Sequence, residues 1–307
     1  MLKCIVDAAG SGDFSTVQEA VDAAPDGSRE KVTIFIKNGT YEEKLLVPKE
    51  KRNLHFLGES RDGVVLTYSD NAKTLGPDGE PLGTFRSASA FFHGDDFTAE
   101  QLTIRNSSGQ GTGQAVAAFV TGDRAVFRSV TFLGFQDTLY TGESRQYYED
   151  CRIEGDVDYI FGPATAVFNR CRIHSKRKGG YVTAASTPED KPFGYVFLDC
   201  TLTADPGMTD VYLGRPWRPF AHVVWIRTDM DASVKPEGWH NWSDPAREAT
   251  SRYGEFDSRG PGANPEARVS WSCQLAPDEA AAYTVANVLA GEDGWDPSAV
   301  QFEERLR

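Results

Sequence analysis

Asp137 and Asp158 are the residues of this 307-residue chain whose type and spacing most directly suggest chemistry. They lie in the stretches Gly134-Phe135-Gln136-Asp137-Thr138-Leu139-Tyr140 and Asp156-Val157-Asp158-Tyr159-Ile160-Phe161-Gly162. Each stretch follows a copy of one internal repeat, Val126–Phe132 in the first case and Tyr147–Ile153 in the second. Asp137 stands seven residues after Val130, and Asp158 stands seven after Cys151. Equal offsets in neighbouring repeats put the two acids at the same place on adjacent coils. Stacked strands lie about 4.8 Å apart, so the two carboxylates can share a site. Two carboxylates that close do not both ionise easily, which leaves one an acid and the other a base or nucleophile at neutral pH. The alternative is a pair of turn-forming aspartates on a solvated face, and spacing alone leaves both readings open.

The elements that must hold these residues are the repeats themselves. The column Leu102, Val130, Cys151, Cys171, Cys200 has steps of 28, 21, 20 and 29 residues, with a weaker copy from Val224 to Met230. Strand-like alternation at that period predicts a solenoid of stacked β coils. Upstream, Val32–Ile36, Leu45–Val47, Leu54–Leu57 and Val64–Thr67 read as strands, with Gly39-Thr40-Tyr41 as a turn and 70–83 as a loop. Excursions at 106–113, 176–191 and 204–209 are expected to build a binding face on one side of the coils. The basic run Lys176-Arg177-Lys178 reads first as a solvated surface and second as a groove lip.

The two ends have different patterns. Ser15-Thr16 followed by Gln18-Glu19 is a capping signal, and Val17, Ala20, Val21 and Ala24 recur at helical spacing until Pro25-Asp26-Gly27. Residues 1–27 therefore read as a first strand and a cap helix. From about 230 to 307 the chain reads as loops carrying Trp239 and Trp242, a strand at Val269–Trp271, and one helix from Pro277 through Leu289 ended by Gly291. Trp239 and Trp242 are core residues if buried and stacking platforms for sugar rings if exposed. The whole of 1–307 is expected to form a single solenoid domain.

Composition bounds the partners. A formal charge of −13 argues against nucleic acid or an anionic membrane, and no apolar run approaches the length of a membrane span. A polyanion has to meet a local basic cluster or be partly neutralised by esterification. The chain enters a strand almost at Met1 and shows no leader, so it reads as intracellular unless a leader has been removed and Met1 added. Five cysteines are present and no CxxC or His-Cys cluster suggests zinc, so no metal or cofactor is expected. Cys151 and Cys171 stand on adjacent coils, where they serve as small apolar residues or, in an oxidising compartment, as a disulfide. Asn-x-Ser/Thr acceptors occur at Asn38, Asn106 and Asn241.

Three further polar sites accompany the aspartates. Gln114 lies in Gly113-Gln114-Ala115-Val116-Ala117, Gln136 adjoins Asp137, and Arg215 lies in Leu213-Gly214-Arg215-Pro216-Trp217. Gln amides in an apolar setting can donate to a developing oxyanion, and Arg215 can hold a carboxylate ionised through a bidentate pair. Each also has a structural reading, as a polar ladder residue or a turn with a packed Trp.

These residues carry a resemblance. Gly39-Thr40-Tyr41-Glu42-Glu43, Gln114–Ala117, Gly134–Tyr140, Asp156–Gly162 and Leu213–Trp217, with Gly260-Pro261-Gly262 and Arg268–Trp271, resemble in order and content the motifs of pectin methylesterases (carbohydrate esterase family 8). The match runs over nearly all the chain. Ala117-Ala118, where a larger apolar residue is frequent, and Asp156 and Tyr159 beside the second acid depart from the usual pattern. The resemblance implies an all-β, right-handed parallel β-helix with short capping helices at both ends. It implies Asp158 as nucleophile and Asp137 as general acid and then base. Gln114 and Gln136 would form the oxyanion hole, Arg215 would orient Asp158, and Trp217, Tyr140, Phe161 and Val157 would line the subsites, with Thr84 near the substrate. The substrate implied is methylesterified homogalacturonan or its oligomers, taken by a secreted monomer.

Rival readings share the scaffold. Paired carboxylates also cleave glycosidic bonds. A lyase needs a carboxylate-rich Ca²⁺ site and a basic residue, and a non-catalytic carbohydrate-binding solenoid would not need the aspartate pair. Thioesterase action on small acyl esters is also compatible with the scaffold. No Gly-x-Ser-x-Gly elbow is present for a serine triad.

Overall fold

A computed structural model describes residues 2–299. The coils are built from short β-branched and aromatic segments of two to six residues, and each connection carries the chain into the next sheet rather than back beside the strand it left, so like strands pair only one coil later and in parallel. The result is three sheets in which every ladder between strands is parallel. One has eleven strands, running from Leu2–Val6 at one end to Cys273–Gln274 at the other; a second has eight and the third seven. The fold is a right-handed parallel β-helix.

The repeat column has a simple cause. From the strand Thr98–Glu100 onward, each passage from the eleven-stranded to the eight-stranded sheet turns on one residue in the left-handed region: Gln101 (φ 57°), Ser129 (51°), Asp150 (52°), Arg170 (53°), Asp199 (52°) and Arg227 (50°). The next residue points inward, and Leu102, Val130, Cys151, Cys171, Cys200 and Thr228 are all at most 1% exposed. A one-residue corner fixes the phase of the coil, which is why the spacing from column to aspartate repeats. Inside, Phe127, Tyr148, Phe168, Phe197 and Trp225 stack coil on coil, with centroids 5.1, 4.7, 4.5 and 3.7 Å apart. Aromatic stacks of this kind add about 0.5–1.5 kcal/mol per pair beyond area burial.

The column cysteines are not bridged. Cys151 and Cys171 are free thiols, which corrects the disulfide reading. In-register stacking directs each S–H to main chain, Cys151 Sγ to the Phe127 carbonyl at 3.3 Å and Cys171 Sγ to the Tyr148 carbonyl at 3.4 Å. Burial pushes both thiols well above the ordinary range, so they stay protonated.

The helix Val17–Ala23 covers the first coil, with Thr16 and Glu19 in a reciprocal capping box. The other end differs from expectation. The helix from 277 to 289 is two short ones, Pro277–Ala280 and Val285–Leu289, because Ala282 and Tyr283 close a tight turn and Thr284 recaps the chain. The strand expected at Val269–Trp271 falls at Cys273–Gln274, since Val269 caps a turn onto the Ser272 amide. Gly39–Glu42 is a strand of the eight-stranded sheet rather than a turn. The excursion 176–191 contains the strand Tyr181–Ala185, hidden in sequence by its glycines and small residues. No helix among the described residues is long and apolar enough to cross a membrane.

Candidate active site

The site is built on the outer face of the seven-stranded sheet. One outward position per coil falls in a single ladder: Leu46, Phe91, Phe119, Tyr140, Phe161, Ala184 and Arg215. Phe119 stacks on Tyr140 at 4.3 Å, and Tyr140 meets Phe161 at 5.1 Å. Trp217 lies 5.9 Å from Phe161. Phe85, about half exposed, stands over the row, 5.3 Å from Tyr140 and 6.4 Å from Trp217. The helix axis thus carries an apolar, aromatic strip of the kind that accepts sugar faces and small alkyl groups.

Asp137 and Asp158 close the end of this strip. Leu139 pairs with Ile160, so two residues earlier the acids are opposite each other, as the repeat offset requires. Both have left-handed backbone, φ 65° for Asp137 and 50° for Asp158, a conformation Asp tolerates better than most residues. Between Val157 and Ile160 the ladder to the next strand skips a residue, and this bulge sits at Asp158. Bulges re-aim side chains beside active sites. Here Tyr159 turns inward, its hydroxyl 2.8 Å from Ser175 Oγ, while Asp158 turns out to Arg215. The Asp137 amide bonds the Val157 carbonyl at 3.0 Å and the Asp156 amide bonds the Phe135 carbonyl at 3.0 Å, locking the two turns together. A Cβ on Gly155 would stand 2.1 Å from Tyr159 Cβ and 2.6 Å from the Phe135 carbonyl oxygen, so only glycine fits beside this turn.

Arg215 grips Asp158 with both prongs, Nε to Oδ1 at 2.8 Å and Nη2 to Oδ2 at 2.7 Å. Its guanidinium is itself sandwiched, with Cζ 3.8 Å from the Tyr181 ring and 3.8 Å from the Trp242 ring. Tyr181 stacks in turn on Tyr212 at 5.1 Å, whose hydroxyl accepts from Lys235 Nζ at 2.9 Å. Burial raises the carboxyl of Asp158, and the guanidinium pulls it back down. Asp137 is raised well above the carboxylate range by burial and then by the Asp158 charge, with Arg215 too indirect to offset it. The shared proton therefore belongs on Asp137, and Asp158 is the ionised partner. Gln114 and Gln136 are half-buried beside the pair, joined through the Ala115 amide on the Gln136 carbonyl at 3.1 Å. Among the described residues neither side-chain amide has a hydrogen-bond partner, so both keep donors free for a ligand.

The remaining expected residues divide. Tyr140, Phe161 and Trp217 belong to the strip, whereas Val157 is half-buried beside it, opposite Tyr181 on the ladder. Thr84 opens the short 3₁₀ turn Thr84–Arg86 that carries Phe85 over the strip, so its place is beside Phe85. Trp239 is a correction: it is 1% exposed and stacks at 4.3 Å on Tyr253 inside the coils, out of reach of any ligand. Trp242 instead stays at the surface of the site, over the Arg215 guanidinium. Phe85 and Tyr181 were not singled out from sequence; the strand alternation of Phe91 and Phe119 signals the strip, but only the folded 70–86 and 239–250 segments bring Phe85 and Trp242 to it. Trp239→Ala is expected to lower stability by about 3–5 kcal/mol with little change in KM, whereas Trp242→Ala should leave the melting temperature near that of the parent and lower turnover. Thermal melts beside steady-state kinetics separate the two. Lys176 is a lip residue after all, its Nζ 2.7 Å from Glu154 and 5.0 Å from the centroid of Phe135, next to Gln136. Among the described residues no group of three or more His, Cys, Asp and Glu side chains is arranged to hold a metal ion.

Comparison with known proteins agrees with this geometry. The family model described as Pectinesterase matches residues 3–292. The chain belongs to the pectinesterase family. It is 41% identical to Pectinesterase 31 of Arabidopsis thaliana over 275 residues, covering 88% of this chain and 87% of that one. It is 39% identical to Pectinesterase QRT1 of the same plant, over 95% of this chain and 78% of the relative. Among solved structures it superposes on the pectin methylesterase from carrot with a TM-score of 0.90 at 34% identity, covering 98% and 97% of the two chains. A pectin methylesterase in complex with a hexasaccharide gives a TM-score of 0.84 at 33% identity over 97% and 98%. A pectinesterase is a carboxylic ester hydrolase.

Proposed function

We propose that this chain hydrolyses the C6 methyl esters of galacturonate in homogalacturonan, releasing methanol and leaving the carboxylate. The observation that carries the reading is the asymmetric carboxylate pair, one acid clamped by Arg215 and the other left to hold a proton, at the end of an aromatic strip. Asp158 attacks the ester carbonyl, and the carbonyl electrons move onto oxygen. Gln114 and Gln136 donate to that oxyanion, for which their unpartnered amides are suited. Asp137 gives its proton to the departing methoxide, and methanol leaves an acyl-enzyme on Asp158. Asp137, now a base, takes a proton from water; hydroxide attacks the acyl carbon, Asp158 is expelled as carboxylate, and Asp137 is again protonated. The aromatic strip receives the ring faces and the methyl group, with Trp217, Tyr140, Phe161, Val157 and Phe85 as subsite walls and Thr84 at the rim.

The charge of −13 supports a preference for highly esterified, weakly anionic polymer, acted on in the cell wall by a monomer with neither nucleic acid nor membrane as partner. The deciding experiment follows methanol and reducing ends in the same digests of highly methylated pectin. Methanol without new reducing ends is the expected result; reducing ends without methanol would replace the esterase by a glycosidase.

A further inference from the structure

A third carboxylate belongs to this site, and nothing in the reaction uses it. Asp156 is 3% exposed, two residues before Asp158, and its turn is bonded through the main chain to the turn that carries Asp137. Its Oδ1 is buried without a hydrogen-bond partner. Its Oδ2 accepts from Gln110 Nε2 at 3.3 Å, and the same amide reaches the Lys176 carbonyl at 3.4 Å. Gln110 comes from the 106–113 excursion, so that loop is folded down over Asp156 and shuts it away from ligand. The other charges around it are spoken for: Lys176 Nζ and Arg152 pair with Glu154, and Arg215 pairs with Asp158.

Three carboxyl groups therefore share one guanidinium. They differ in donors: Asp158 has two from Arg215, Asp156 has the Gln110 amide, and Asp137 has no side-chain hydrogen bond among the described residues. A donor favours the ionised form, so within the pair the charge collects on Asp158 and the proton on Asp137. We propose that Asp156 is a positioning residue: a buried, fixed negative charge, held by Gln110, that keeps Asp137 protonated to higher pH and so moves the working range of the enzyme toward neutral and alkaline conditions. The Asp156 charge also raises both aspartates of the pair. This rests on the reaction proposed above. In that reaction the acid limb of the pH–rate profile reports ionisation of Asp158, and the alkaline limb reports loss of the Asp137 proton.

The test is the pH profile of kcat/KM for methanol release from highly methylated pectin, for the parent, Asp156→Asn and Gln110→Ala, each with a thermal melt. Removing the charge in Asp156→Asn should move both limbs to lower pH by about half a unit or more. Gln110→Ala removes the side-chain donor that holds the Asp156 carboxyl beside the pair and should move the profile the same way by less, and it carries the test if Asp156→Asn does not fold. Limbs within about 0.2 unit of the parent in a folded Asp156→Asn, or a uniform loss of rate with unchanged shape, would overturn the proposal and leave Asp156 a purely structural residue. A parent that releases no methanol at any pH would instead sink the reaction itself.

Discussion

Asp158→Asn is expected to lower methanol release by about three to four orders of magnitude while the protein still binds methylated oligomers. The substitution is isosteric and keeps one acceptor for Arg215, so the turn at the bulge is retained. What is lost is the anionic nucleophile, and Asp137 has no other partner to activate. Without an acyl-enzyme, only binding and the oxyanion donors remain to accelerate direct attack by water. Equilibrium binding of a methylated hexamer, measured beside initial rates, separates the two quantities. A variant retaining a tenth of the parent rate would move the nucleophile elsewhere, Asp137 being the next candidate.

Arg215 carries the second large effect, and the structure says why lysine is no substitute. Two parallel N–H donors meet both oxygens of Asp158, and a planar cation fills the slot between Tyr181 and Trp242. A lysine ammonium offers neither the fork nor the flat face. Arg215→Lys should reduce kcat by about 10²-fold, and Arg215→Ala should also lower stability by about 3 kcal/mol, because an acid 6% exposed is left without its cation. The pH dependence has a definite sign. With the guanidinium gone, the folded-state carboxyl of Asp158 rises further above its unfolded value. The folded state then binds more protons than the unfolded one, so the stability of Arg215→Ala falls as pH rises from the unfolded carboxylate range through the raised folded value. The acid limb of activity moves up in the same variant. Melting temperatures between pH 4 and 8 that run parallel to the parent would show that the pair contributes no electrostatic stabilisation.

The aspartate pair was legible in sequence because a one-residue corner allows no slippage. Once Val130 and Cys151 are recognised as the same position, everything downstream on the coil keeps phase, and Leu139 opposite Ile160 follows. Arg215 was legible from its motif, through the resemblance, and not from the repeat spacing. That it reaches Asp158 depends on Ala184, a side chain small enough to leave room between Phe161 and Arg215 on the ladder. What periodicity does not encode is where irregular chain returns. Trp239 and Trp242 are three residues apart in one polar, Pro-punctuated stretch, and nothing local says that Trp239 enters the coils to meet Tyr253 while Trp242, with left-handed backbone (φ 61°), turns back over Arg215. The same limit applies to Phe85, delivered by a loop with no pattern of its own. The split of the C-terminal helix and the strand at Tyr181–Ala185 were missed for a local reason: short segments of Ala, Thr and Gly satisfy helix, strand and loop propensities about equally well.

The C-terminal segment changes how such a molecule comes apart. In a stack where each coil touches only its neighbours, opening can begin at either end and spread one rung at a time. Here the helix Val285–Leu289 packs on the strand Thr165–Asn169 of the eleven-stranded sheet, and Val288 and Leu289 belong to one buried cluster with Val126, Tyr147, Val167, Val196 and Val224, which come from five successive coils. Arg145 then bonds the carbonyls of Leu289 and Ala290, more than 140 residues away along the chain, and pairs with Asp293. The strap converts a row of separable rungs into one cooperative unit, so loss of the last coil cannot proceed without unlacing the middle. The aspartate pair sits on the rungs so tied, and its register is thereby coupled to a segment packed on a different sheet of the cylinder.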